Sequence, residues 1–291
     1  MLVLSLLPGA VVAWWLATGQ MGGEPFKQAA REIGAFTYRF LLLTLLVTPL
    51  RVVADWPGIV QVRRMLGLAT LAYALAHLGL YAAHMNGDLA KVASEIALRI
   101  YLTLGFVALL GLVALGATST DAAMRRMGRG WKRLHRLVVP IALLGLAHFF
   151  IQSKADVTEP TLMAGFLAWL LFWRALPREL QSSRLALVSL AILAALATMA
   201  VEYAWYALAT SIPAERVLLA NLDPEMGLRP AAWVLLVGLV AAVVPWLRRR
   251  LGALLSARLG WRPAPPARRS GSPGSAPASA GRAEAAGNPG R

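Results

Sequence analysis

Eight largely apolar stretches recur along this chain, at 2–17, 34–53, 65–84, 96–117, 134–152, 160–176, 185–209 and 231–247. A bilayer core takes about 20 apolar residues of helix to cross. With 58% hydrophobic and 15% charged residues, the chain is too oily for an ordinary soluble domain. The expected fold class is an all-α integral membrane bundle. The stretch 2–17 is as short as a signal peptide. However, no basic segment precedes it and Pro8-Gly9 interrupts it, so it is expected to be a retained first span. The sixth stretch is close to the lower length limit.

The formal net charge of +15 is distributed between loops. Arg125, Arg126, Arg129, Lys132 and Arg133 crowd the loop 118–133 against Asp121. Segments 51–64 and 174–184, and the start of the tail at Arg248-Arg249-Arg250, are also basic. The alternate loops are neutral or acidic. Basic loops stay on the cytoplasmic side of a membrane, so an even number of spans with both termini cytoplasmic is expected. The charge thus encodes topology rather than nucleic-acid binding. Residues 263–291 are Pro, Ala, Gly, Ser and Arg without apolar periodicity, and are expected to be a disordered cytoplasmic tail.

There is no cysteine. Disulfides, thiolate-bound iron–sulfur clusters and covalent c-type haem are excluded. The four histidines, His77, His84, His135 and His148, all sit in or beside apolar segments. Ionisable groups at bilayer depth are costly and point to function. Paired helical imidazoles hold b-type haem in membranes. His77 lies 13 residues, about 20 Å, beyond Arg64, and His148 lies 15 residues, about 22 Å, beyond Arg133. Both therefore reach nearly the same depth on helices running in the same direction, as two axial ligands of one iron require. His84 shares a face with His77 and reads either as an interfacial histidine or as a ligand. His135, at the start of the fifth stretch, either ligates an inner haem or touches lipid phosphates. Arg39 and Arg99, near the ends of their stretches, either pair with haem propionates or snorkel to the interface.

Several motifs resemble one family. They are Thr44-Leu45-Leu46-Val47-Thr48-Pro49-Leu50-Arg51, Arg63-Arg64-Met65-Leu66-Gly67-Leu68 with Tyr73-Ala74-Leu75-Ala76-His77, and Thr118-Ser119-Thr120. The run Gly128-Arg129-Gly130-Trp131-Lys132-Arg133-Leu134-His135-Arg136-Leu137, then Ala147-His148-Phe149 and Lys154-Ala155-Asp156 with Glu159-Pro160, continues the match. Together, over roughly residues 20–176, they resemble the MsrQ (YedZ) family. These are haem-binding membrane subunits of the periplasmic protein-methionine-sulfoxide reductase system, within the ferric-reductase-like superfamily. The resemblance implies a six-helix haem-binding core, placed at 1–176; the later apolar stretches add two helices within 177–250, followed by a tail from 251. It implies His77, His135 and His148 as metal ligands for one or two b haems, and FMN as a family cofactor. NADPH oxidases, distant relatives, carry two histidines on each of the two helices; here Arg63 stands near the inner third-helix position.

The implied function is transmembrane electron transfer from the quinone pool or a reduced flavin, supplied by a cytoplasmic flavin reductase. The acceptor would be a periplasmic molybdopterin methionine sulfoxide reductase (MsrP-like) that repairs oxidised proteins. The implied location is the bacterial inner membrane. No catalytic residue is expected in the chain itself. The alternatives are another haem-b membrane oxidoreductase, acting on ferric iron or quinone, and a transporter without haem.

Overall fold

The computed structural model describes residues 2–154, 156–223, 225 and 227–259. Those residues are helical, without strands. The long elements are α1 (Leu2–Ala17), α2 (Pro25–Val53), α3 (Val62–His84), α5 (Ile100–Ala117), α8 (Val138–Ser153), α9 (Thr158–Ala175), α10 (Arg184–Ala209) and α12 (Pro230–Leu259). Shorter helices connect them: α4 (Leu89–Leu98), α6 (Asp121–Met127), α7 (Arg129–His135) and α11 (Ala214–Ala220). Residues 1–250 form one compact unit; of the second unit, 251–291, only the helical residues 251–259 are described. The expected disordered segment 263–291 lies outside the described residues.

Six helical segments among the described residues are long and apolar enough to cross a membrane: Pro25–Val53, Pro57–His84, Ile100–Ala117, Arg129–Ser153, Arg184–Ala209 and Pro230–Arg248. The protein is therefore a multi-pass membrane bundle. Two of the eight expected spans miss that criterion. Helix α1 has only 16 residues. Helix α9 begins beside Glu159 and ends beside Arg174, and it is enclosed: Thr161, Leu167, Leu170 and Trp173 are all buried. A helix wrapped by its neighbours presents little apolar surface to lipid. By contrast, Leu193 and Leu196 on α10 and Leu236 and Val240 on α12 are exposed. An apolar patch of that kind marks an interaction surface, here the face turned to lipid.

The expected span 96–117 is broken at Arg99, whose φ of −111° and ψ of 108° are extended. What precedes it is the short helix α4, capped by the Asp88 side chain, which accepts from the Lys91 N–H at 2.9 Å. The fifth stretch also divides. Pro140 has no N–H to bond the Arg136 carbonyl, and the chain turns at 136–137 before α8 begins. His135 therefore ends α7 and is not in register with His148.

Prolines inside the other helices are compensated by side chains. Pro49 deprives the Leu45 carbonyl of its helical donor. Arg174 supplies one, donating from Nη2 to Leu45 O at 2.5 Å and from Nη1 to Leu170 O at 2.7 Å. Beside Pro8, the Gly9 N–H donates to the Tyr73 hydroxyl at 2.7 Å, which donates to Ser5 O at 2.8 Å. The tyrosine oxygen stands where a regular helix would close its own bond, and so fastens α1 to α3. Such substitution is how broken helices survive without water. At the basic end of the bundle, Arg64 pairs with Asp121 at 3.0 Å and Arg248 with Asp55 at 2.7 Å. A cavity opens at the other end.

Candidate functional site

Helices α2, α3, α5 and α8 enclose a cavity of about 870 Å³, in the size range of small-molecule and cofactor sites (roughly 300–1,000 Å³). His77 from α3 and His148 from α8 face each other in it, with ring centroids 6.1 Å apart and planes at 81°. Each ring is fixed from behind by a neighbouring helix. His77 Nδ1 lies 2.7 Å from Ala30 O, and His148 Nδ1 lies 2.7 Å from Tyr101 O. A carbonyl only accepts, so both Nδ1 atoms carry the proton and both Nε2 atoms keep a free lone pair.

The two supports are built alike. In each, the histidine lies 47 residues after the carbonyl it bonds. In each, a glycine one turn beyond that carbonyl leaves space for the ring. A Cβ on Gly34 would meet His77 Nδ1 at 2.9 Å, and one on Gly105 would meet His148 Nδ1 at 2.8 Å. Two copies of one helical hairpin thus present one imidazole each.

Two metal–nitrogen bonds of about 2 Å, plus about 1.1 Å from each nitrogen to its ring centre, give a centroid separation near 6 Å. The rings are therefore spaced for one metal atom between them. Among the described residues no three His, Asp or Glu side chains converge on a common point. Two imidazoles alone are too few donors for a closed metal site. A planar macrocycle would supply the remaining nitrogens, with His77 and His148 as the residues to hold it.

The other expected site residues fall elsewhere. His84 lines the mouth of the same cavity. His135 does not line it. Its ring stacks on Trp131 at 3.9 Å and its Nδ1 is 3.2 Å from Trp131 O. Arg39 also lies off the cavity, over the Phe36 ring at 4.6 Å and 2.5 Å from Glu159 Oε1. Arg99 lines the cavity, bound to Glu95 and 3.1 Å from the Tyr101 hydroxyl. Those two neighbours hold its guanidinium above the ordinary value, the tyrosine bond first.

Residues 33–146, which include most of this cavity, match the family described as ferric reductase like transmembrane component. The haem-binding subunit MsrQ of protein-methionine-sulfoxide reductase from Xanthomonas campestris pv. campestris (strain B100) is 42% identical over 180 residues, covering 60% of this chain and 83% of the relative. The subunit of the same name from Brucella ovis is 40% identical over 187 residues, covering 62% of this chain and 83% of the relative. The chain belongs to the MsrQ family. No solved structure matches it.

The cavity suits the group named in those MsrQ relatives. It has two imidazoles with centroids 6.1 Å apart and apolar walls of Ala74, Leu109, Leu112 and Ile141. Histidine spacing and apolar length do not point to the supporting carbonyls and glycines of this chain. A signal was there: Leu75-Ala76-His77 repeats as Leu146-Ala147-His148, with Gly34 and Gly105 at equal distances before them.

Proposed function

We propose that this chain is the haem-binding membrane subunit of a methionine sulfoxide reductase system, with a b-type haem held between His77 and His148. The observation that carries this reading is the facing pair of imidazoles at 6.1 Å, each with its Nδ1 committed to a backbone carbonyl. The bound haem supplies one-electron chemistry; the chain supplies its environment. Ala30 O and Tyr101 O fix the tautomer and raise the basicity of the ligating nitrogens. Leu109, Leu112 and Ile141 exclude water from the inner part of the cavity. Tyr38, which donates to Ala142 O at 3.1 Å, ties α2 to α8 beneath it.

In this reading the basic end faces the cytoplasm, by the charge rule, and the cavity mouth faces the periplasm of the inner membrane. Electrons enter from the quinone pool or a cytoplasmic flavin reductase. They leave at the mouth for a soluble molybdopterin-containing reductase, whose own site acts on methionine sulfoxide. The segments 86–95 and 156–160, which include the starts of α4 and α9, border that exit. We assign no residue to FMN. For His135 we keep a supporting place beside Trp131, because the charged neighbour across from it is Arg63, not a histidine.

The purified protein is expected to show the visible and electron paramagnetic resonance spectra of low-spin, bis-histidine haem. A preparation without a Soret band sinks the reading. In sealed vesicles of the expected orientation, reduced protein is expected to be reoxidised by the soluble reductase and its sulfoxide added outside. Reoxidation that needs access from the basic end reverses the topology.

A further inference from the structure

The cavity is apolar at one end and charged at the other. Leu112 and Ile141 line its inner part, while five cations, Lys27, Arg31, Lys91, Arg99 and Lys154, and four carboxylates, Glu32, Glu95, Asp156 and Glu159, line the rest. A haem has the same asymmetry, with two propionate carboxylates on one edge of an apolar ring. A haem bound here would meet less desolvation cost with its propionates toward the charged end. Burying them among leucines would strand two charges.

The cations of the mouth are not equivalent. Lys27 is neutralised by Glu24 at 2.6 Å, and Arg99 by Glu95. Arg39, one of the two arginines that sequence position offered, does not line the cavity and is held by Glu159, which does, at 2.5 Å. Among the described residues Arg31, Lys91 and Lys154 have no carboxylate within ion-pair distance. Of these, Arg31 is the one fixed at the level of the ligand: it follows Ala30, whose carbonyl holds the His77 ring. Its guanidinium is also the side chain whose planar fork matches a carboxylate with two parallel hydrogen bonds.

We propose that Arg31 anchors a haem propionate at the cavity mouth, and that Arg39 takes no part. The inference rests on the haem reading above. Arg31 acts as a cofactor-binding residue and as a local positive charge. Its loss both frees the haem and favours the ferric state, which carries one more positive charge than the ferrous.

The test is haem transfer from the purified full chain to excess apomyoglobin, with a redox titration of the same samples. Arg31→Gln is expected to release haem about tenfold faster or more, the effect of losing one charge-assisted bond, and to lower the midpoint potential. Arg31→Lys should keep the potential near that of the parent while releasing haem faster, since it keeps the charge and loses the fork. Arg39→Gln should match the parent in both. Reconstitution with haem dimethyl ester supplies the complementary deletion: with the ester, Arg31→Gln and the parent should release at the same rate. The proposal is overturned if Arg31→Gln holds native haem as long as the parent does, if its defect persists undiminished with the ester, or if Arg39→Gln carries the defect instead. In each of those outcomes the parent still binds haem. Failure of the underlying reading looks different: the parent itself shows no bis-histidine spectrum.

Discussion

The hairpin of α2 and α3 and the hairpin of α5 and α8 make the same device and then diverge. At the cavity, each offers a carbonyl, a glycine one turn on, and a histidine 47 residues after the carbonyl. Toward the basic end the likeness fails. The first hairpin has Arg63 and Arg64 there, with Arg64 spent on Asp121. The second has His135 stacked on Trp131. The first alone carries a clamp to α1 through Tyr73. Only the level where both hairpins agree has a cavity bordered by paired imidazoles. A ligand that needs two opposed donors enforces symmetry where it binds and nowhere else.

The largest effect should come from the ligands. His77→Ala and His148→Ala are each expected to abolish the low-spin spectrum, and to equal degree. His84→Ala and His135→Ala should leave most of it. A His135→Ala protein that loses as much haem as His148→Ala breaks the comparison.

Next come the glycines. A methyl group on Gly34 or Gly105 pushes into the ring behind the ligand. Such overpacking costs about 1–3 kcal/mol, and here it displaces the nitrogen that fixes the tautomer. Gly34→Ala and Gly105→Ala should therefore lower both thermal stability in detergent and haem occupancy. A large effect at one and none at the other would show that the supports are unequal.

Tyr73→Phe sharpens the difference between hairpins. It leaves the Gly9 N–H and the Ser5 carbonyl without their bridge, at about 1–3 kcal/mol. Amide exchange in α1 should accelerate while the haem spectrum stays unchanged. A shifted spectrum would mean that α1 also positions His77. The smallest effect is expected for Asp121→Asn. Its pair with Arg64 is exposed, and such pairs contribute about 0.2–1 kcal/mol, so the melting temperature should scarcely move.

Much of this was legible in the chain. Apolar length predicts the six long spans, though it also offers α1 and α9, and charge between them predicts which loops share an end. Ion pairs Arg64–Asp121 and Arg248–Asp55 do join the loops that charge had grouped. Residue counts placed His77 and His148 at one depth, because a helix rises by a fixed amount per residue. The breaks were less legible. The division at Arg99 and the separation of His135 from α8 depend on turns that apolar periodicity does not register.

By itself, then, the sequence determined the membrane bundle, the absence of thiolate chemistry and the two histidines that share a level. Which way each side chain faces was decided by tertiary structure. Rise along a helix is local, but azimuth against a neighbour depends on how helices far apart in the chain pack. Arg39 and Arg31 show this on one helix. The first turns to Glu159, 120 residues away, and is kept out of the lining by that carboxylate, which does line the cavity; the second lines it directly. The donor for the carbonyl freed by Pro49 comes from Arg174, 129 residues beyond Leu45. The two acceptors that orient the imidazoles are backbone carbonyls, a group every residue has. No sequence pattern marks one as special until folding brings a ring against it.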